Sequence, residues 1–298
     1  MRFTPDDMSD LSGRTAIVTG ANSGIGWHTA DELARHGASV VLACRDRERG
    51  EEAAARIEGA TRVEQLDLAS LQSVQDFAER WDGPLDLLIN NAGVMMSPTY
   101  RTTADGFELQ FGTNHLGHFA LTGRLLPHLL ATAAPRVVTV SSNAHHRGKA
   151  DLIDMNPEAS YRGEPAYNNS KLANLMFGLE LHRRAQAAGS PLVSTMAHPG
   201  GSNTNLFSAP DGLGANPIVR RLAPIVLPLV LQSAARGADA TLYAATLGTP
   251  GSYTGPTKMR GFSGPVGPAT PSQIARDPQL AVQLWELSEQ ATGVTFNF

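Results

Sequence analysis

Tyr167 and Lys171 stand four positions apart in "AYNNSK". On an α-helix that spacing stacks both side chains on one face, so a phenol and an ammonium can address a single ligand. Packing supplies no reason for the pair, because a lysine is rarely buried without a partner. Chemistry does: a neighbouring cation lowers a phenol's pKa from about 10 toward working pH, where it can serve as acid and base. Taken singly, each residue has an ordinary reading as part of an amphipathic helix or as a solvated charge.

A second constellation is "TGANSGIG", with glycines at 20, 24 and 26 and Asn22, Ser23 and Ile25 between them. It follows the apolar run "TAIVTG" directly and opens a helical pattern. Glycines there permit a tight turn and let main-chain N–H groups and a helix N-terminus meet a pyrophosphate. A glycine trio alone is a weak signal, with simple turn chemistry as the alternative; its place after a first strand points to a dinucleotide. The second strand runs into "ACRDRERG". A carboxylate in the position of Cys44 would grip a free ribose hydroxyl, whereas Arg45 offers a planar donor fork suited to a 2′-phosphate. This favours NADP over NAD, with Asp46 arguing the other way and Arg47 read as a solvated charge.

The elements that must carry these residues are legible in the apolar runs. "TAIVTG", "SVVLAC", "RVEQLDL", "LDLLINNAG", "RVVTVSS" and "LVSTMAHPG" are strand-like and alternate with helical patterns such as "IGWHTADELARHG", which Gly37 closes. Near-continuous apolar strands separated by helices imply a parallel sheet covered on both faces. The expected fold is one doubly wound Rossmann-type α/β domain over 1–298, with about seven strands in the order 3-2-1-4-5-6-7. Residues 205–235 are expected to form a substrate lid. "GPTKMRGFSGPVGPATPSQ", in the 255–298 extension, is expected to be a Gly/Pro-rich loop before a final helix near 277–291.

Composition narrows the function classes. The 298 residues are 42% hydrophobic and 17% charged with a net charge of −4, which is ample for a core and lacks the basic run of a nucleic-acid binder. The acidic opening "MRFTPDDMSD" is not a secretion signal. "LAPIVLPLVL", broken by Pro224 and Pro228, falls short of a membrane span. Cys44, the only cysteine, allows no internal disulfide and reads as a core thiol. A cytoplasmic protein is the expectation, with no stable membrane insertion and a homo-oligomer as one option.

With "TGANSGIG", "DL" at Asp67, "NNAG" at Asn90, "TNHLGHF" with Asn114, "VSS" ending at Ser142, "YNNSK" and "HPG" at His198, the chain resembles the short-chain dehydrogenase/reductase family from about Ser12 to Thr204. "ACRDRERG", "SSNAHH", "SKLAN" and "HPGGSNTNL" look most like its retinol-dehydrogenase-like and WW-domain-oxidoreductase-like branch. The resemblance implies that Tyr167 exchanges a proton with the substrate oxygen and that Lys171 lowers its pKa and holds the nicotinamide ribose. Ser142 would hydrogen-bond the substrate, chosen over Ser141 because relatives with paired serines use the second. Asn114 would seat a water linked to Lys171. The cofactor contacts so implied are Gly20, Asn22, Ser23, Gly24, Ile25, Gly26, Arg45, Asp67, Leu68, Asn91, Ala92, Gly93, Tyr167, Lys171, Pro199, Gly200 and Thr204. Two departures stand out: the long segment between Ser142 and Tyr167, and Ser202, where many relatives carry valine.

His145 with His146 and His115 with His118 lack the third ligand of a zinc site, and the chemistry needs no metal. The apolar residues Leu206, Phe207, Leu213 and Ile218 in the lid segment suggest a lipophilic aldehyde, ketone or alcohol as partner. The leading expectation is an NADP-dependent alcohol/carbonyl oxidoreductase. A catalytically inactive nucleotide-binding regulator is the alternative, opposed by the intact Asn114, Ser142, Tyr167 and Lys171. A sugar-nucleotide epimerase or dehydratase, a third option, would carry a larger C-terminal substrate domain.

Overall fold

Neighbouring side chains along the early strands point to opposite faces of a sheet and enter two separate cores. Val18, Val40 and Leu42 pack on one side with Leu33 and Leu242; Ile17, Val41 and Leu88 pack on the other with Phe77, Phe119 and Trp285. A sheet apolar on both faces has to be sandwiched between helices. The computed structural model, which describes residues 3–95, 97–150, 158–201 and 232–298, has that architecture.

The strands are β1 (Thr15–Thr19), β2 (Ser39–Cys44), β3 (Thr61–Gln65), β4 (Leu87–Asn90), β5 (Arg136–Val140), β6 (Val193–Ala197), β7 (Tyr253–Lys258) and β8 (Ser263–Pro268). They form one sheet in the order β3-β2-β1-β4-β5-β6-β7-β8, parallel except for the antiparallel β7–β8 pair. The order reverses between β1 and β4, and the crevice beyond their carboxyl ends is where open α/β sheets take ligands. The helices are α1 (Gly24–Arg35), α2 (Arg47–Ala54), α3 (Leu71–Arg80), α4 (Leu109–Phe111), α5 (Gly117–Leu130), α6 (Gly163–Ala187), α7 (Ala234–Thr246) and α8 (Pro278–Thr292). A π-type turn, Gly112–Leu116, joins α4 to α5. Such turns insert one residue into a helix and gather at functional sites. Here it carries Asn114.

Two expectations are corrected. The Gly/Pro-rich stretch after Tyr253 is a hairpin that adds an eighth strand, paired Gly255 to Gly267 and Pro256 to Val266. Pro265 and Pro268 are tolerated in β8 because it lies at the edge of the sheet. The third strand stops at Gln65 instead of Leu68, because Asp67 turns the chain: its carboxylate accepts the N–H of Ala69 at 2.9 Å. Thr204 and all but 232–235 of the expected lid lie outside the described residues. Among the described residues, no helix is long and apolar enough to cross a membrane.

Candidate active site

The glycine turn leaves β1 with positive φ at Gly20 (66°) and Gly24 (58°), a region that side-chain-bearing residues rarely enter. Gly26 is needed for a different reason. A Cβ there would run into the carbonyl oxygen of Gly20 and the side-chain amide of Asn91. Asn91 in turn donates from Nδ2 to the Thr19 carbonyl (2.8 Å), and the N–H groups of Asn91 and Ala92 both donate to Thr19 Oγ1 (2.9 Å each). Thr19, which reads as an ordinary strand residue, therefore ties the end of β1 to the end of β4.

The tie continues inward. His118 donates from Nδ1 to the Asn114 carbonyl (2.8 Å), which leaves Nε2 to accept the Thr19 hydroxyl (2.9 Å). Asn114 faces the other way with its side chain, accepting Val94 N–H on Oδ1 (2.8 Å) and donating from Nδ2 to Val94 O and Ser170 Oγ (2.9 Å each). Gly93 keeps the space between Asn114 and Lys171 open: a Cβ on it would stand 3.2 Å from Asn114 Oδ1 and 3.5 Å from Lys171 Nζ.

Tyr167 and Lys171 share one face of α6, with the ammonium 5.9 Å from the phenol ring centre, and both are buried. Lys171 donates to the Val140 carbonyl (3.2 Å), and burial pushes its pKa down to about 8. Tyr167 differs from the expectation. Burial raises its pKa, and the hydrogen bond from Ser142 opposes that rise only in part. Desolvation of a phenolate here outweighs a cation set beside the ring rather than against the oxygen. The phenol thus keeps its proton more firmly than a free tyrosine.

Ser142, two residues beyond the end of β5, is the N-cap of a short 3₁₀ turn, Asn143–Arg147, its Oγ accepting Ala144 N–H at 3.2 Å. Its hydroxyl reaches Tyr167. Ser141 is turned into the fold and donates to the Lys171 carbonyl (2.7 Å). The start of α6 is fixed separately. Buried Glu108, its pKa raised by burial, accepts Phe111 N–H (2.7 Å) and the Tyr161 hydroxyl (3.3 Å), while Gln110 donates to Gly163 O (3.0 Å).

These groups border a cleft of about 1030 Å³. Of the residues expected at a cofactor, Gly20, Asn22, Ser23, Gly24, Ile25, Gly26, Arg45, Asp67, Leu68, Asn91, Ala92, Gly93, Tyr167, Lys171 and Pro199 line it. Gly200 does not; its N–H turns to His198 Nδ1 (3.3 Å). Asn114 is buried behind the wall and joined to it through Val94, while half-buried Ser142 meets it through Tyr167. Arg47 pairs with Glu51 at 3.0 Å on the solvent side. Arg49, Arg56 and Arg101 line the cleft instead and were not read from the sequence. The four-residue step from Arg45 to Arg49 was the available sign. The glycine-floored turn and the cleft's size fit a dinucleotide, and Arg45, Arg49, Arg56 and Arg101 stand in its lining together with Asp46 and Glu52.

Comparison with known proteins agrees with this geometry. The family described as short chain dehydrogenase matches residues 14–210. The chain belongs to that family and is an oxidoreductase of the alcohol/carbonyl kind, in its retinol-dehydrogenase-like branch. It is similar to human retinol dehydrogenase 13, 41% identical over 293 residues that cover 95% of this chain and 86% of that protein. It is also 40% identical to mouse polyprenol dehydrogenase, over 98% of this chain and 87% of that one. Among solved structures, an uncharacterized protein from Mycobacterium paratuberculosis superposes with a TM-score of 0.84 at 45% identity, each chain covered in full. A short chain dehydrogenase from Shigella flexneri complexed with NADP gives 0.64 at 25% identity, covering 83% of this chain and 98% of that one.

Proposed function

We propose that the protein uses NADP to interconvert a lipophilic alcohol and its aldehyde or ketone, with Tyr167 as the acid and base. The observation that carries this reading is the buried Tyr167 phenol, hydrogen-bonded by Ser142 and one helical turn ahead of Lys171, beside a cleft floored by glycines.

Each residue then has a task. Arg45, with Arg49, holds a 2′-phosphate, since a guanidinium fork suits that group. Gly20 to Gly26 and Asn91 to Gly93 hold the pyrophosphate and ribose with main chain. The hydride comes from the nicotinamide when NADPH is bound. Tyr167 gives its proton to the carbonyl oxygen as negative charge develops there, Ser142 donates a hydrogen bond to the same oxygen, and the Lys171 ammonium stabilises the phenolate that remains. A raised phenol pKa suits this reductive direction.

Lipophilic substrates are supported by the names of the relatives, which are retinol and polyprenol dehydrogenases. A cytoplasmic location and a homo-oligomer complete the proposal, to be checked by cell fractionation and light scattering. The central experiment follows NADPH oxidation against all-trans-retinal, decanal and an aromatic ketone, beside dissociation constants for NADPH and NADH. Turnover of the lipophilic aldehydes with tighter NADPH binding is expected. Equal affinities for the two cofactors would overturn the NADP assignment.

A further inference from the structure

His145 has no part in the chemistry above, yet it is buried directly behind the catalytic serine. The Ser142 carbonyl oxygen accepts two hydrogen bonds from this one residue: the main-chain N–H at 3.0 Å and the ring Nδ1–H at 2.6 Å. With that carbonyl pinned and Oγ accepting Ala144 N–H, the Ser142 hydroxyl keeps its own proton for donation, and its hydrogen bond to Tyr167 is what opposes the rise in the phenol's pKa.

The ring can donate from Nδ1 only in one tautomer, and the C-terminal segment selects it. The Ser272 N–H, 127 positions along the chain, donates to Nε2 at 3.2 Å. Nε2 must therefore carry the lone pair and Nδ1 the proton. Tyr253 of β7 sets its ring edge-on to the imidazole, 5.5 Å between centres at 83°, with its hydroxyl 3.4 Å from Nδ1. Burial holds the imidazole neutral, which keeps Nε2 free for Ser272.

We propose that His145 is a positioning residue for Ser142, holding the serine carbonyl through a tautomer that the main chain of Ser272 imposes, so that the C-terminal hairpin and the loop after it set the geometry of catalysis. This rests on the reading of Ser142 given above. A plain core histidine would fill the same volume, and the two roles separate by which nitrogen matters. Asparagine places an amide nitrogen where Nδ1 stands; glutamine reaches the Nε2 position and leaves the Nδ1 position without a donor.

The test compares His145→Asn, His145→Gln, His145→Leu and Ser142→Ala in NADPH-dependent reduction of all-trans-retinal, with thermal melts to verify folding. His145→Gln and His145→Leu should lose about 10- to 100-fold in kcat with KM for NADPH unchanged, as a displaced catalytic group does. His145→Asn should stay within about threefold of wild type, the size of one ordinary hydrogen bond. In ¹⁵N NMR of the imidazoles, the signal lost in His145→Asn should be that of an Nδ1–H tautomer. A folded His145→Gln with wild-type kcat beside an inactive Ser142→Ala would overturn the positioning role alone. So would an Nε2–H signal, or a His145→Asn as impaired as the leucine variant. An active Ser142→Ala would instead remove the serine's role, and the positioning role with it.

Discussion

Around Gly20 the cleft is floored by main chain, and what matters is the absence of atoms: a Cβ on Gly26 would overlap its surroundings. Around Ser142 the wall is made of side chains, and what matters is their presence, with His145, Tyr253 and Ser272 all converging on one carbonyl and one ring. Both ends gather groups far apart along the chain, the first from Gly20 to Pro199 and the second from Ser142 to Ser272. Each end should fail in its own way.

The largest effect belongs to the catalytic end. Tyr167→Phe should lower kcat by about 10²- to 10⁴-fold, the usual worth of a general acid, while NADPH affinity stays near wild type. Fluorescence titration and single-turnover assays separate the two, and retained turnover would dissolve the contrast. At the cofactor end, Arg45→Ala should weaken NADPH binding by roughly 10- to 100-fold, the range for a charged hydrogen bond, and leave NADH binding alone. Calorimetric titration with both cofactors decides; parallel losses would mean that Arg45 does not read the phosphate.

Gly26→Ala should cost about 1–3 kcal/mol of stability in chemical denaturation, since the new methyl meets backbone that cannot step aside. A neutral result would show that the floor gives way more than its contacts suggest. A separate effect is a slope of stability with pH. Burial holds His115 and His198 down to about 3 and His118 and His145 down to about 4, against an ordinary 6.5. Between about 6.5 and 4 the unfolded chain takes up protons that the folded one refuses, so stability present above 6.5 is lost as pH falls, by up to about 1.4 kcal/mol per pH unit for each histidine. Melting temperatures across that range check it. Replacing His145 by Asn should flatten the slope.

The same contrast explains what could be read from the sequence. The strands through β6, the glycine turn and the Tyr167–Lys171 pair are legible because each is a local pattern: apolar runs, glycines at a strand end, a four-residue step. The hairpin of β7 and β8 is not, because most of its glycines serve neighbours: Gly255 makes room for the His198 ring and Gly264, at φ 111°, for the Lys258 side chain. In the bend, Met259 and Arg260 take positive φ beside Gly261, where sequence rules look for glycine alone. Thr19 and Glu108 escape notice, and His145 reads only as half of a histidine pair, because nothing nearby marks them as partners of Asn91, Tyr161 and Ser272 far along the chain.

The two borders of the sheet have a bearing on how the protein behaves in concentrated solution. At one border β3 presents Arg62 and Glu64; at the other, β8 carries Pro265 and Pro268, which have no hydrogen to offer a newcomer. Charge on one margin and missing donors on the other both discourage a further strand from docking. Runaway stacking of molecules edge to edge is thereby disfavoured at either side.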